Sequence, residues 1–230
     1  MAKQNEHGKL IAAAAKAALL PLGCRRVGQS RCWISDERFW YIFIEFQPSA
    51  WSKGTYTNVT PIWLFLQPWG GEAAHRVGNY IKFESVEQFG PLVVAMANLA
   101  AAEVVALRGK FRTPLDVHRF FAGRLSYAGN VYRAAITAGL VGDIALARQL
   151  FTRMQTTDTK KYGPWIAALQ RECAALSQLL DDPLRYRSAV LKTISARRQK
   201  RGLPPDPQCL DSLDLVAAEP QHGLPGQAPQ

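Results

Sequence analysis

Nine residues, Phe39 to Gln47 (FWYIFIEFQ), restrict what this chain can fold into more than any other stretch. A run so rich in aromatic and β-branched side chains forms a strand rather than a helix. Pleating sends alternate side chains to opposite faces. One face then holds Trp40, Ile42, Ile44 and Phe46, with no polar atom except the indole N–H. The other holds Phe39, Tyr41, Phe43, Glu45 and Gln47, an aromatic surface that ends in a carboxylate and an amide. The first face must be covered by something apolar, and the second is left for another use. The surrounding segment, Arg31 to Gln67, carries ten of the 23 aromatic residues.

The rest of the chain arranges itself around that strand. Residues 7–20 read as an amphipathic helix stopped by Pro21 and Gly23. Lys16 interrupts the apolar run from Leu10 to Leu20, which argues against a signal peptide. Cys32 and Ile34 open a first strand, and Ser35 to Arg38 turn the chain into the central one. The loop SAWSKG closes a hairpin to Thr55–Thr60, where Pro61 restricts the strand to an edge or a bulge. Trp69-Gly70-Gly71 reads as a loop and Val77 to Phe83 as a last strand. From Ser85 onward only helices follow. The first runs to Arg108 with Gly109 as its stop, and Thr113-Pro114 opens the second. Tyr127–Ala138 and Asp143–Met154 form a helical hairpin, and prolines 164 and 183 start two more helices.

The expected fold is therefore α+β: an N-terminal helix on an antiparallel sheet, then about five helices including one helical hairpin. Residues 1–84 form the helix and sheet, and 85–202 a helical half packed on it as one unit. Residues 203–230 hold six of the 14 prolines and four acids without a Lys or Arg, which reads as a disordered tail. Within it, Leu210 to Ala218 is a short apolar patch.

Composition narrows the chemistry. The net charge is +10, made of +14 on residues 1–202 and −4 on the tail, which favours anionic partners. Cys24, Cys32, Cys173 and Cys209 show no ligand spacing, and no two of the four histidines lie at ligand spacing, so no metal is expected. Glycine-rich phosphate loops and a nucleophile elbow are missing from the sequence, and no cofactor is expected. The apolar run Pro91 to Leu107 includes Asn98 and Glu103 and reads as too short to span a bilayer, so no membrane partner is expected.

Two groups of residues remain as binding candidates. Glu45 lies inside the strongest strand and needs water or a cation, for which Arg31 and Arg76 are available. With Gln47 it makes the polar floor of an aromatic wall of Trp33, Tyr41 and Phe43, which Asn58 joins if the hairpin register permits. The second group is the last helix, Pro183–Arg201. Its seven basic residues are Arg185, Arg187, Lys192, Arg197, Arg198, Lys200 and Arg201, and it has no acid. Positive charge near a helix C-terminus is favoured by the dipole, and the same cluster suits nucleic-acid phosphates.

Part of this pattern resembles a family of uncharacterised bacterial domains. The matching residues are Leu22, Gly23, Arg25, Arg26 and Gly28, then Phe46, Gln47 and Ser49, then Asn58, and finally Arg76 and Gly78. Cys24 stands where the family has phenylalanine. The resemblance covers residues 8–84, implies an α+β fold, and marks Gln47, Ser49, Asn58 and Arg76 as the place of a shared site. It implies no activity. The reading from sequence is a bacterial, cytoplasmic, non-catalytic binding or regulatory protein with a protein partner held by Trp33, Glu45, Gln47, Ser49, Asn58 and Arg76. The alternatives are a nucleic-acid-associated protein using the basic helix and a small-molecule enzyme built on Glu45, Gln47 and Asn58.

Overall fold

A computed structural model describes residues 6–66 and 75–211, with the backbone alone at 161 and 162. The expected Trp69–Gly71 loop and most of the Leu210–Ala218 patch lie outside the described residues. The fold is α+β. Helix α1 (Glu6–Leu19) and a 3-10 turn (Leu20–Leu22) lead into strands β1 (Arg25–Arg26), β2 (Cys32–Asp36), β3 (Trp40–Pro48), β4 (Gly54–Trp63) and β5 (Ile81–Lys82). The five strands form one antiparallel meander in sequence order. Among the described residues seven helices follow: α2 (Val86–Lys110), α3 (Pro114–Ala122), α4 (Ala128–Val141), α5 (Ile144–Gln155), α6 (Thr159–Tyr162), α7 (Trp165–Ser177) and α8 (Pro183–Lys200).

The pleat of β3 works as its sequence demands. Trp40, Ile42, Ile44 and Phe46 are all buried, and their neighbours across the ladder are Trp33, Ser35, Val59 and Trp63. Helices α1 and α2 cover this inner face. Trp40 and Trp63 stack at 5.2 Å, and both meet the edge of Phe111, which ties the sheet to the α2–α3 junction. Pro61 fits in mid-strand because Val59, two residues earlier, points its N–H away from β3 to His75 O. Pro61 shares that outward direction, away from β3, so the β3–β4 ladder loses no bond.

A partly buried polar knot fastens α2 to the sheet. Arg108 donates to Glu37 (2.7 Å), to Ser35 Oγ (2.5 Å) and to the carbonyl of Leu22 (2.8 Å), while Ser35 donates to Glu37. Helix α2 runs through Gly109, the expected stop, and ends where Phe111 drops into the core. At 25 residues it is longer than the apolar run suggests, and by length and composition alone it is able to cross a bilayer. Here its Phe89, Val93, Met96, Ala100 and Val104 pack in the protein core.

The helical hairpin is α4–α5. Gly142 caps α4 with φ +84°, and Asp143 caps α5 by accepting from Leu146 N. Helix α4 is buried on every side from Val131 to Leu140, as the central helix of a cluster must be. Gly139 supplies the notch for α8: a Cβ there would lie 2.4 Å from the ring of Tyr186, whose hydroxyl donates to Ile136 O. Tyr186 is held at both ends of its ring and cannot yield. Gly139→Ala is therefore expected to destabilise by about 1–2 kcal/mol, overpacking outweighing the helix propensity gained. A rise in melting temperature would show that the α4–α8 contact is loose.

The tail begins later than composition suggests. Residues 203–211 pack, and Leu203, Cys209 and Leu210 belong to the same apolar core as Ile11 and Trp40. Prolines 204, 205 and 207 already restrict the chain in its unfolded state, which lowers the entropy lost on ordering it. Two arginines clasp the segment. Arg198 grips both carboxylate oxygens of Asp36 (2.8 and 2.7 Å) and the carbonyls of Pro204 and Arg38. Arg38 reaches Asp206 (2.9 and 3.3 Å) and the Gln208 carbonyl.

Candidate functional site

The outer face of the sheet is divided in two. At one end Ile34 and Tyr41 are buried under the C-terminal end of α8. Arg201 lies 5.8 Å from the Tyr41 ring centroid, and Arg25 donates to the Arg201 and Gly202 carbonyls. Burial there pushes the Tyr41 phenol up. At the other end the face is half open, with Phe43, Glu45, Gln47 and Tyr56 each partly exposed.

Register brings the polar candidates into one line across this open end. Glu45 pairs with Cys32 on one side and Asn58 on the other, and Asn58 bridges to Arg76. Directly paired residues of antiparallel strands share a face, so Cys32, Glu45, Asn58 and Arg76 form a single row. Gln47 and Tyr56 form the next row. Asn58 Nδ2 donates to Gln47 Oε1 at 2.9 Å and more weakly to Glu45 Oε2 at 3.4 Å. Its Oδ1 is buried and receives no hydrogen bond. The Arg76 guanidinium lies 3.9 Å over the Tyr56 ring, which stacks on Tyr80 at 4.7 Å. Tyr80 is pinned in turn to Ser52 and Lys53 of the β3–β4 loop.

The electrostatics of the row oppose nucleophilic chemistry. Burial pushes the Cys32 thiol up; the bond with Ser30 opposes that shift in part, and the Glu45 carboxylate adds a smaller push upward. Cys32 therefore stays a thiol at neutral pH. Glu45 has no cationic partner among the described residues. Arg31, one of the two proposed for it, lies on the opposite face beside Phe46 and bonds His7. Arg76, the other, is engaged with Tyr56.

Two more sequence expectations change. Trp33 is paired with Ile44, which turns it into the inner core at 4% exposure and away from the open face. Ser49 lies past the end of β3, where its hydroxyl accepts from Trp51 N as a turn bond. Cys32, Tyr56 and Tyr80 were missed. The first two follow from alternation along β2 and β4, whereas Tyr80 comes from the chain beyond the hairpin and has no local signal.

The basic helix is not a single surface. Arg198 is 3% exposed, and Arg197 is partly buried within reach of Tyr132 and Glu172. Arg187 pairs with Asp211 at 2.8 Å, and Arg201 lies over Tyr41. Arg185, Lys192 and Lys200 project to solvent. The described residues contain no cluster of three or more potential metal ligands. No known protein family, curated protein or solved structure matches this chain.

Proposed function

We propose that the chain is a non-catalytic binding module that holds a protein partner on the open end of its outer sheet face. The row Cys32–Glu45–Asn58–Arg76, with Gln47 and Tyr56 beside it, carries this reading. Aromatic faces, an arginine and amides at the centre of a half-exposed patch make the composition of a protein interface rather than of a general surface. Asn58 Oδ1 is an acceptor without a hydrogen bond beside the patch, and Glu45 offers a carboxylate that no cation among the described residues pairs with. The row has no histidine, and its one acid has an amide rather than a base as neighbour, so general acid–base catalysis is not supported.

Stability separates a binding role for Glu45 from a structural one. Glu45→Gln is expected to leave the unfolding free energy within about 0.5 kcal/mol, as for a surface change. The function itself is tested by a photo-crosslinking residue at Gln47 or Tyr56 in cells, with Ser195 as an exposed control. A discrete protein adduct at the sheet positions, lost on Asn58→Ala or Arg76→Ala, is the expected outcome. No adduct, together with salt-dependent binding to duplex DNA that falls when Arg185, Lys192 and Lys200 are replaced, would move the function to α8.

A further inference from the structure

The first turn of α1 is seated on the end of the sheet by a histidine–arginine pair. Arg31 Nη2 lies 3.1 Å from His7 Nε2. A guanidinium donates and never accepts, so Nε2 is the acceptor and the imidazole is neutral, with its proton on Nδ1. Among the described residues no carboxylate pairs with Arg31, and its Nη1 is buried without a hydrogen bond. The hold on this half-buried guanidinium therefore depends on His7 staying uncharged. The His7 ring leans on Phe83 at 5.6 Å and meets Phe89 at 6.4 Å, and those two rings meet edge-on at 5.2 Å. One imidazole thus joins α1, the β1–β2 loop, the end of β5 and the start of α2.

The surroundings all oppose a charge on that ring. Burial, the Arg31 guanidinium and the Lys53 ammonium hold the imidazole below its ordinary range. Its place in the first turn of α1 adds the positive end of the helix dipole. The acids on the elements around it do not compensate. Glu6 and Lys9 of α1 are exposed, as is Glu87 of α2, and Lys82 and Glu84 pair with each other at 3.1 Å. Glu45 lies on the outer face of the sheet, away from His7. We propose that His7 and Arg31 form an acid-released latch on α1. Protonation at Nε2 takes the acceptor from Arg31 and sets two cationic donors against each other, and the first turn of α1 lifts off Phe83 and Phe89. The ring is only half-buried, so the proton has access from water. The unfolded chain takes up this proton near the ordinary value of 6.5, and the folded protein only below it. The stability that His7 contributes is therefore complete above that value and is lost as the pH falls from there toward the folded one.

Histidine nitrogen NMR of the full chain reads the tautomer and the titration of each ring between about pH 5 and 8. His7 is expected as the Nδ1–H tautomer, titrating below the ordinary histidine range. Arg31→Met removes the guanidinium and should move that titration upward, which a ring held low by burial alone would not do. Amide hydrogen exchange, corrected for the intrinsic effect of pH, reads the latch itself. The first turn of α1 should exchange faster at about pH 5 than at about pH 7 in the wild type, while α4 stays protected. His7→Phe keeps an aromatic ring against Phe83 but cannot titrate, and should lose this acceleration. His118→Gln, at a ring on α3 that burial likewise holds low, should keep it. An Nε2–H tautomer in the wild type, or a His7 titration that Arg31→Met leaves in place, overturns the proposal. Equal acceleration in the wild type and His7→Phe does the same, and the NMR arm stands even where a variant does not fold.

Discussion

Replacing Arg198 with alanine is expected to lower the unfolding free energy by about 3 kcal/mol, the low end for breaking a buried ion pair. The side chain is 3% exposed and makes bonds to Asp36, to the Pro204 carbonyl and to the Arg38 carbonyl. Removing it leaves a carboxylate and two carbonyls facing a gap. Asp36 is 28% exposed, so water repairs part of the loss, which is why the low end applies. For a protein of this length such a change corresponds to about 6–12 °C in melting temperature. Arg198→Lys should recover little of it, because an ammonium cannot grip both carboxylate oxygens in one plane. A change of under about 1 kcal/mol in a denaturant titration would mean that the clasp is wet and contributes no more than a surface pair.

The second large effect is expected at Leu210. Its side chain is fully buried, and Leu210→Ala should cost about 2–5 kcal/mol through lost transfer energy and the cavity left behind. Ending the chain after Gly202 should cost at least as much, since Leu203 and Cys209 leave the core with it. Ending it after Asp211 should change the melting temperature little, as the acidic, proline-rich composition of the remainder predicts. Equal melting temperatures for the chains ending at 202 and 211 would show that residues 203–211 only rest on the surface.

The segregated architecture was legible because each local signal agreed with the next. Alternation over Phe39–Gln47 gave a strand with one face to bury, Thr113-Pro114 and Asp182-Pro183 gave helix starts, and Gly142-Asp143 gave a hairpin corner. Register across a turn was not legible. Trp33 changes faces with a one-residue change in the length of the Ser35–Arg38 turn, and nothing local sets that length. The Asn58–Glu45–Gln47 contact was legible only as a conditional, because it depends on the same kind of register. The packed segment 203–211 was invisible for a different reason. Arg38, which holds Asp206, lies 168 residues away, and composition reads only neighbours.

That separation also shapes how the protein is made. The clasp joins the β2–β3 turn to α8 and residues 203–211, which are synthesised more than 160 residues later. Closing so long a loop is slow relative to forming hairpins and helices. During synthesis the sheet half is able to form and bury its inner face under α1 and α2 while Ile34 and Tyr41 still wait for α8 and the segment after it. Sealing of the outer sheet face therefore comes late in folding, once α8 and the segment after it have been made. Until then an apolar strip stands open, and nascent chains are most exposed to aggregation and to chaperones in that interval.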